Sequence, residues 1–241
     1  FHIGVGIALQ EKGFKFAGGT QQHVEKNYPE GTPLTFRTYV GSSAGAIIST
    51  FFAGGYSIDA MINAFTQGQG MPTVTRRRRS QDTNSGFLKP ITYKDLFAVN
   101  IDAGLAPRVI GSIFRKKPAL TGGLEVLLKQ GFKVNGIFSM RNIERYIREN
   151  VFPDNKFSAL GVNLYIIATQ LNHSRKVIFG NYDETSKDER MKYVGYSKLS
   201  EAVAASASLP PVFAPYGIYN DKGRDTFFFD GEIRDTLYTY V

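Results

Sequence analysis

A serine flanked by small residues, between a predicted strand and a predicted helix, constrains the fold of this chain more than any other segment. Residues 36–40 are rich in aromatic and β-branched side chains, as strands are, and residues 46–52 form an apolar run that two glycines follow. Between them, residues 41–45 read Gly-Ser-Ser-Ala-Gly and match G-x-S-x-G, with Ser43 at the centre. The order of strand, sharp turn and helix is the context of a nucleophile elbow.

The residues around Ser43 meet the steric demand of such a turn, in which strand and helix pass within one side chain's width of each other. Gly41, Ala44 and Gly45 are small enough for that approach. The helix also directs its first N–H groups towards the reacting atom, where they favour developing negative charge. We therefore predict Ser43 as a nucleophile supported by Gly41, Ala44 and Gly45. A Gly/Ser turn without chemistry is the alternative.

Composition favours one globular domain and excludes several kinds of site. The 241 residues are 42% apolar and 21% charged, and no run of 18 apolar residues predicts a transmembrane helix. The absence of Cys excludes disulfides and thiolate zinc sites, and the three His lack metal-ligand spacing, so we expect no metal. The net charge of +8 suits an anionic partner such as a phospholipid surface, although a merely basic soluble protein would have the same charge.

Residues 67–136 are predicted to form a flap or cap inserted within the domain. Residues 67–86 lack clear periodicity and are rich in glycine and polar side chains. They contain four arginines, Arg76, Arg77, Arg78 and Arg79, which we interpret as an anionic-lipid contact or as a solvated loop. No basic platform with interleaved aromatic residues accompanies them, so nucleic acid is not expected as a partner. The apolar patches that follow fit either an amphipathic cap that meets acyl chains or core helices.

A carboxylate at the end of a predicted strand is the second chemical signal. The aromatic run 227–229 leads directly into Asp230 and Gly231. A serine needs a base, and no His follows His173, so the usual Ser–Asp–His order has poor support. Burial behind an aromatic strand would raise the pKa of Asp230 and make it a better base. A turn-initiating Asp is the alternative interpretation.

Two further strands are predicted as a pair joined by a turn. Residues 163–169 have the pattern of a buried strand, residues 175–179 that of a half-exposed one, and residues 172–174 form the turn. Residues 199–208 predict a helix of small residues that packs closely, and Pro210 and Pro211 end it. Ser57 is predicted to cap a helix over residues 58–65, and Ser139 a helix that runs to residue 150.

Four segments together resemble the patatin-like phospholipases, in the right order and across nearly the whole chain. They are residues 2–13, 40–46, 202–213 and 229–231. In this resemblance, residues 2–13 correspond to the helix after the family's glycine-rich oxyanion loop. Ser43 corresponds to the nucleophile, and Asp230, followed by Gly231, is its partner in a Ser–Asp dyad.

The resemblance implies a three-layer α/β/α sandwich with a central, mainly parallel sheet over residues 1–241. It implies a lipid acyl hydrolase that needs neither a metal nor an organic cofactor. Ser43, assisted by Asp230, would attack the ester carbonyl of a phospholipid or another acyl ester and form an acyl-enzyme. A cytoplasmic or peripheral membrane protein in contact with an anionic bilayer is the expected setting.

The chain departs from the family pattern at its ends. The oxyanion loop is expected before Phe1, and we expect both ends to be cut; Gly18 and Gly19 are an alternative source of oxyanion donors. Glu232 stands where the family commonly has a small residue, and its charge would raise the pKa of Asp230 further. Residues 235–237 replace the family's Asn-x-Pro element.

Two other functions remain open at the level of sequence. One is a catalytically inactive protein of the same fold that binds anionic lipid through Arg76–Arg79. The other is a serine esterase or acyltransferase in which His173 is the base.

Overall fold

The computed structural model describes residues 1–70, 87–100, 136, 138–171, 175–182, 191–219, 223 and 225–232. The predictions for Arg76–Arg79, for His173 and for most of segment 67–136 lie outside these residues. The helices are α1 (His2–Glu11), α2 (Gln21–Asn27), α3 (Ala44–Ala53), α4 (Ile58–Gly68), α5 (Tyr93–Leu96), α6 (Arg141–Asn150) and α7 (Leu199–Ser206), with a 3-10 turn at Phe157–Ala159. The strands are β1 (Lys15–Phe16), β2 (Thr35–Phe36), β3 (Thr38–Ser42), β4 (Ala98–Val99), β5 (Phe138–Ser139), β6 (Asn163–Gln170), β7 (Arg175–Phe179), β8 (Met191–Val194), β9 (Tyr216–Tyr219) and β10 (Asp225–Asp230).

Among the described residues, the central sheet has six strands and is mixed. Its order is β8-β7-β6-β10-β9, and β3 also pairs with β6. The β3–β6 and β7–β8 pairs are parallel, whereas β6–β7, β6–β10 and β9–β10 are antiparallel. The α/β class is confirmed, but the expectation of a mainly parallel sheet is wrong. The connections 171–174 and 220–224 are too short for the crossover that a parallel pair needs, so β7 and β10 must run antiparallel to the strands before them.

Strands β3 and β10 share one edge of β6. Ser42, the last residue of β3, lies opposite Ile167, and Asp230, the last residue of β10, lies opposite Ala168. Strand β7 occupies the other edge of β6. Because β3 is parallel to β6 and β10 is antiparallel to it, the C-terminal ends of β3 and β10 meet head to head.

Helices α3 and α7 pack against this part of the sheet. Helix α3 contacts β3 and β6, and α7 contacts β6, β9, β10 and α3. The small residues Ala202, Ala204 and Ala205 of α7 are fully buried, which confirms the prediction that they let the helix pack closely. The core also contains large side chains from helix α3 and from the central sheet, among them Phe51, Ile166, Phe179 and Phe228.

Of the two predicted N-caps, one is confirmed and the other lies one residue away from the observed cap. Ser57 caps α4 and accepts a hydrogen bond from the Ala60 N–H, as predicted. Ser139 was predicted to cap the next long helix, but the N-cap of α6 is Met140. Ser139 lies in β5 and pairs with Ala98 of β4, so the residue is extended one position before the helix begins.

The β4–β5 ladder brings together the two ends of the segment between residues 99 and 138. Val99 lies opposite Phe138, so both ends of the segment are at one place. The Phe138 N–H donates to the Val212 carbonyl, and the Ala214 N–H donates to the Phe138 carbonyl. The flap prediction for residues 67–136 stays a prediction. Within the described ranges, no helix has both the length and the apolar character needed to cross a bilayer.

A buried polar cluster connects α6 and α7. The Ser200 hydroxyl accepts a hydrogen bond from the Asn155 side-chain amide and donates one to the Glu144 carboxylate, both at 2.9 Å. Asn155 Oδ1 accepts from the Ser200 N–H, and Arg148 Nε donates to Glu144. Since the groups are matched donor to acceptor, the cluster fixes the start of α7 without leaving the Ser200 hydroxyl unsatisfied.

We expect Ser200→Ala to lower the free energy of unfolding by about 1–3 kcal/mol, because it removes one partner from the buried Asn155 amide and one from the half-buried Glu144 carboxylate. Urea denaturation measures this loss. The control is Ser49→Ala, whose hydroxyl makes one 3.3 Å hydrogen bond to the Val40 carbonyl at an exposed position and should matter by less than about 0.5 kcal/mol. Equal losses in the two variants would contradict the role of the cluster.

Candidate active site

Ser43 occupies a strained turn between β3 and α3. Its backbone has φ 54° and ψ −127°, a conformation that costs a non-glycine residue about 1–3 kcal/mol. A Cβ on Gly41 would lie 2.6 Å from both the Ala46 Cα and the Gly45 carbonyl oxygen, so only glycine fits there. The strand and helix thus approach as closely as a nucleophile elbow requires.

The other predicted supporting residues lie in the same turn. Ala44 is the first residue of α3 and is exposed. Gly45 is buried, and a Cβ there would lie 3.4 Å from the His2 Nε2 atom, an ordinary contact distance. Gly45 is therefore less strictly required than Gly41. His2 of α1 is exposed, and sequence patterns gave no signal that it would lie beside the elbow.

Asp230 ends β10 beside Ser43. Its side chain is 1% exposed, and Oδ1 accepts a 2.9 Å hydrogen bond from the Glu232 N–H. Oδ2 is also buried and has no partner with strict hydrogen-bond geometry among the described residues. The Ser43 hydroxyl is nevertheless near enough to lower the pKa of the carboxyl by hydrogen bonding. The two predicted residues are therefore neighbours.

Burial dominates the electrostatics of Asp230 and raises the pKa of its carboxyl above the ordinary value of 3.8. The nearby Ser43 hydroxyl and the hydrogen bond from the Glu232 N–H act in the opposite direction and only partly offset that rise. The Glu232 carboxylate raises the pKa a little further, which is the direction predicted for this residue. A carboxylate with a raised pKa is a stronger base than an exposed Asp.

Gly231 allows the two strand ends to meet. A Cβ at this position would lie 2.6 Å from the Ile167 carbonyl oxygen and 2.6 Å from the Ser42 Oγ atom. Glycine is thus required directly after Asp230, because the Ile167 carbonyl within β6 and the Ser42 side chain at the end of β3 leave no room for a side chain.

The C-terminal end of α7 contacts both Ser43 and Asp230, a connection that sequence patterns missed. Ser206 Oγ accepts a 3.0 Å hydrogen bond from the Ser43 N–H and donates a 2.6 Å hydrogen bond to the Ile167 carbonyl. The Ser208 carbonyl accepts from the Asp230 N–H at 3.0 Å. The segment that contains Ser206 and Ser208 is one of the four that carry the family resemblance, but nothing local distinguishes these two serines.

Gly18 and Gly19 lie far from Ser43. The Gly19 N–H donates to the Ala53 carbonyl at the C-terminal end of α3, and a Cβ on Gly18 would collide with the Phe52 carbonyl oxygen. Ser43 precedes the N-terminal end of α3. The helix has ten residues and is therefore about 15 Å long, so Ser43 and the glycine pair lie at opposite ends of it. The N–H groups of this glycine pair therefore do not face the nucleophile.

The described residues hold no group of three His, Asp or Glu side chains that could bind a metal ion together. Arg76–Arg79 and His173 lie outside the described residues, so their predicted roles stay predictions.

Comparison with known proteins identifies a family. The model of the patatin-like phospholipase family matches residues 8–239, and no curated protein sequence matches at a significant level. The matched range includes Ser43, Asp230 and the segment from Ser206 to Ser208. Because the match covers nearly all of the 241 residues, the chain belongs to the patatin-like phospholipase family, a family of lipid acyl hydrolases.

Proposed function

We propose that the protein is a phospholipase A-type enzyme that cleaves fatty acyl esters through a Ser43–Asp230 dyad. The observation that carries this proposal is the buried Asp230 carboxylate beside the Ser43 hydroxyl, where β3 and β10 meet. A buried carboxylate with an incompletely satisfied oxygen costs stability, and a structural role would be served better by an Asn or by a full set of donors. A role in proton transfer accounts for that cost.

In the proposed mechanism, Asp230 accepts the proton of the Ser43 hydroxyl as Oγ attacks the ester carbonyl carbon. The tetrahedral oxyanion would be stabilised by N–H groups at the start of α3, because the first N–H groups of a helix have no intrahelical acceptor. Asp230 then returns the proton to the departing alcohol, which leaves the fatty acyl group on Ser43. Water, deprotonated by Asp230, then attacks this ester. Asp230 returns the proton to Ser43 Oγ as the bond between Oγ and the acyl carbon breaks, which releases the fatty acid and restores both residues.

The raised pKa of Asp230 supports a dyad without His. A base works best when its pKa is close to the operating pH, and burial moves the carboxyl in that direction. Gly41 and Gly231 support the dyad by allowing the close approaches that bring the two residues together. Neither a metal nor an organic cofactor takes part in the proposed reaction.

The substrate is proposed to be a phospholipid or another acyl ester at an anionic membrane surface. The net charge of +8 supports contact with such a surface, and Arg76–Arg79 are the proposed contact residues. The three-layer α/β/α arrangement is part of the same proposal, since it follows from the family rather than from the described helices.

The dyad predicts which substitutions abolish acyl-enzyme formation. Ser43→Ala should eliminate labelling by a fluorophosphonate probe, because the nucleophile is absent. Asp230→Asn should slow ester hydrolysis by about 10²- to 10⁴-fold, the usual effect of losing a general base. Mass spectrometry locates the adduct, and kcat for a 4-nitrophenyl ester measures the rate.

The control for this prediction is His173→Ala, which should retain nearly full activity. A large loss in His173→Ala, with normal activity in Asp230→Asn, would favour the serine esterase with His173 as base. Intact binding to anionic vesicles without labelling of the wild-type protein would favour the inactive lipid-binding protein.

The pH dependence of activity should reflect the raised pKa of Asp230. Ionised Asp230 is the active base, so kcat/KM should fall on the acid side with a midpoint above 3.8. Glu232→Gln removes a negative charge but keeps the backbone N–H that donates to Asp230, and it should move this midpoint to lower pH. A midpoint that moves upward in Glu232→Gln would contradict the assignment.

The same shift predicts how stability depends on pH. Folded Asp230 retains its proton to higher pH than unfolded Asp230, so the folded form loses stability as the pH rises from near 3.8 through the folded pKa. Asp230→Asn cannot ionise at this position and should be more stable than the wild type above that range. Thermal unfolding at several pH values measures the difference, and equal stability of the two proteins at all pH values would refute it.

A further inference from the structure

The end of α7 connects the proposed nucleophile and the proposed base through one short segment. Ser206 holds the backbone of Ser43 by its hydroxyl, and Ser208 holds the backbone of Asp230 by its carbonyl. Because the two serines are two residues apart, the separation of Ser43 and Asp230 depends on a single piece of backbone as well as on the register of β6.

The Ser206 hydroxyl has a fixed direction. It is fully buried and donates its only proton to the Ile167 carbonyl at 2.6 Å, so its lone pairs are left to accept from the Ser43 N–H. Ile167 lies opposite Ser42 in the β3–β6 pair, so the hydroxyl connects the elbow to β6, the neighbour of the strand that leads into it. An alanine side chain at position 206 can neither donate nor accept a hydrogen bond. The bonds to the Ser43 N–H and to the Ile167 carbonyl would therefore both be lost.

The backbone strain at Ser43 makes the hydrogen bond from its N–H to Ser206 important for keeping the residue in place. A residue at φ 54° persists in that conformation only when its surroundings enforce it. Asp230, by contrast, is held independently by the Ser208 carbonyl, the Glu232 N–H and the β6 ladder. Loss of the Ser206 hydroxyl would therefore free the nucleophile while the base stayed in place.

We propose that Ser206 is a positioning residue for acyl transfer, whose hydroxyl fixes the backbone of Ser43 so that the Ser43 hydroxyl meets Asp230. This inference rests on the proposed function of Ser43 and Asp230. It also assigns the Ser43 N–H to a structural hydrogen bond, which leaves stabilisation of the oxyanion to N–H groups from Ala44 onward.

The decisive variant is Ser206→Ala, with Ser200→Ala as its matched control. Both are Ser-to-Ala changes in α7, both serines are fully buried, and both hydroxyls accept one hydrogen bond and donate another. We expect similar losses of thermal stability in the two variants. Only Ser206→Ala should also lower kcat, by about 10- to 100-fold, because small misplacements of reacting groups carry penalties of this size.

Separate measurement of kcat and KM distinguishes a positioning role of Ser206 from a role in stability alone. A fully buried side chain cannot touch the substrate, so KM for a 4-nitrophenyl ester should change less than about twofold while kcat falls. Ser206→Thr keeps the hydroxyl and should regain most of the lost kcat. Ser206→Cys, a weaker hydrogen-bonding group of similar size, should give an intermediate kcat and serves as the test if Ser206→Ala does not fold.

A double-mutant cycle with Asp230→Asn gives an independent readout. If Ser206 acts by aligning Ser43 with Asp230, Ser206→Ala should cost much less in the Asp230→Asn background than in the wild type. Fully additive effects on kcat would overturn the proposal, as would an unchanged kcat in Ser206→Ala while the wild type is active. A wild-type protein that hydrolyses no ester and takes no label at Ser43 would instead overturn the proposed function itself.

Discussion

The site depends on one strand, β6, which sets the positions of both proposed reactive residues. Ser42 and Asp230 are opposite the consecutive residues Ile167 and Ala168, so the nucleophile that follows Ser42 arrives beside the carboxylate. A slip of β3 or β10 by one residue would turn its side chains to the other face of the sheet and separate Ser43 from Asp230. The buried apolar face of β6, which includes Ile166 and Ala168, specifies that register.

Several costs to stability are concentrated at this junction. Ser43 has a positive φ, Asp230 is a buried carboxyl with a raised pKa, and the Ser42 hydroxyl and Asp230 Oδ2 lack strict partners among the described residues. Such features persist only where the surroundings determine the conformation. Here the surroundings are the tightly packed helices α3 and α7, whose apolar side chains are largely buried. The features that the proposed reaction needs are therefore the ones that cost stability at this junction.

Sequence alone predicted the local features of the site but not the contacts that cross the fold. The G-x-S-x-G turn and Asp230 after an aromatic strand have local signatures, and the structure brings the two residues together. The predicted pairing of the strands on either side of the 172–174 turn is confirmed, and the pair is antiparallel, whereas the family resemblance implied a mainly parallel sheet. The sequence does not identify Ser206, because nothing in a helix of small residues indicates that one of its serines binds Ser43, 163 positions earlier in the chain.

The head-to-head meeting of β3 and β10 also bears on how the protein folds. Residues near 42, 167 and 230 must all be in place before Ser43 has its neighbours, so the site consists of contacts between distant parts of the chain. Contacts of this kind carry a large loop-closure entropy and form slowly. We therefore expect helices such as α3 and α6 to appear early during folding, and the reactive serine to be assembled in the last cooperative step. A partly folded chain would then contain the elbow sequence without the neighbours that Ser43 has in the folded protein.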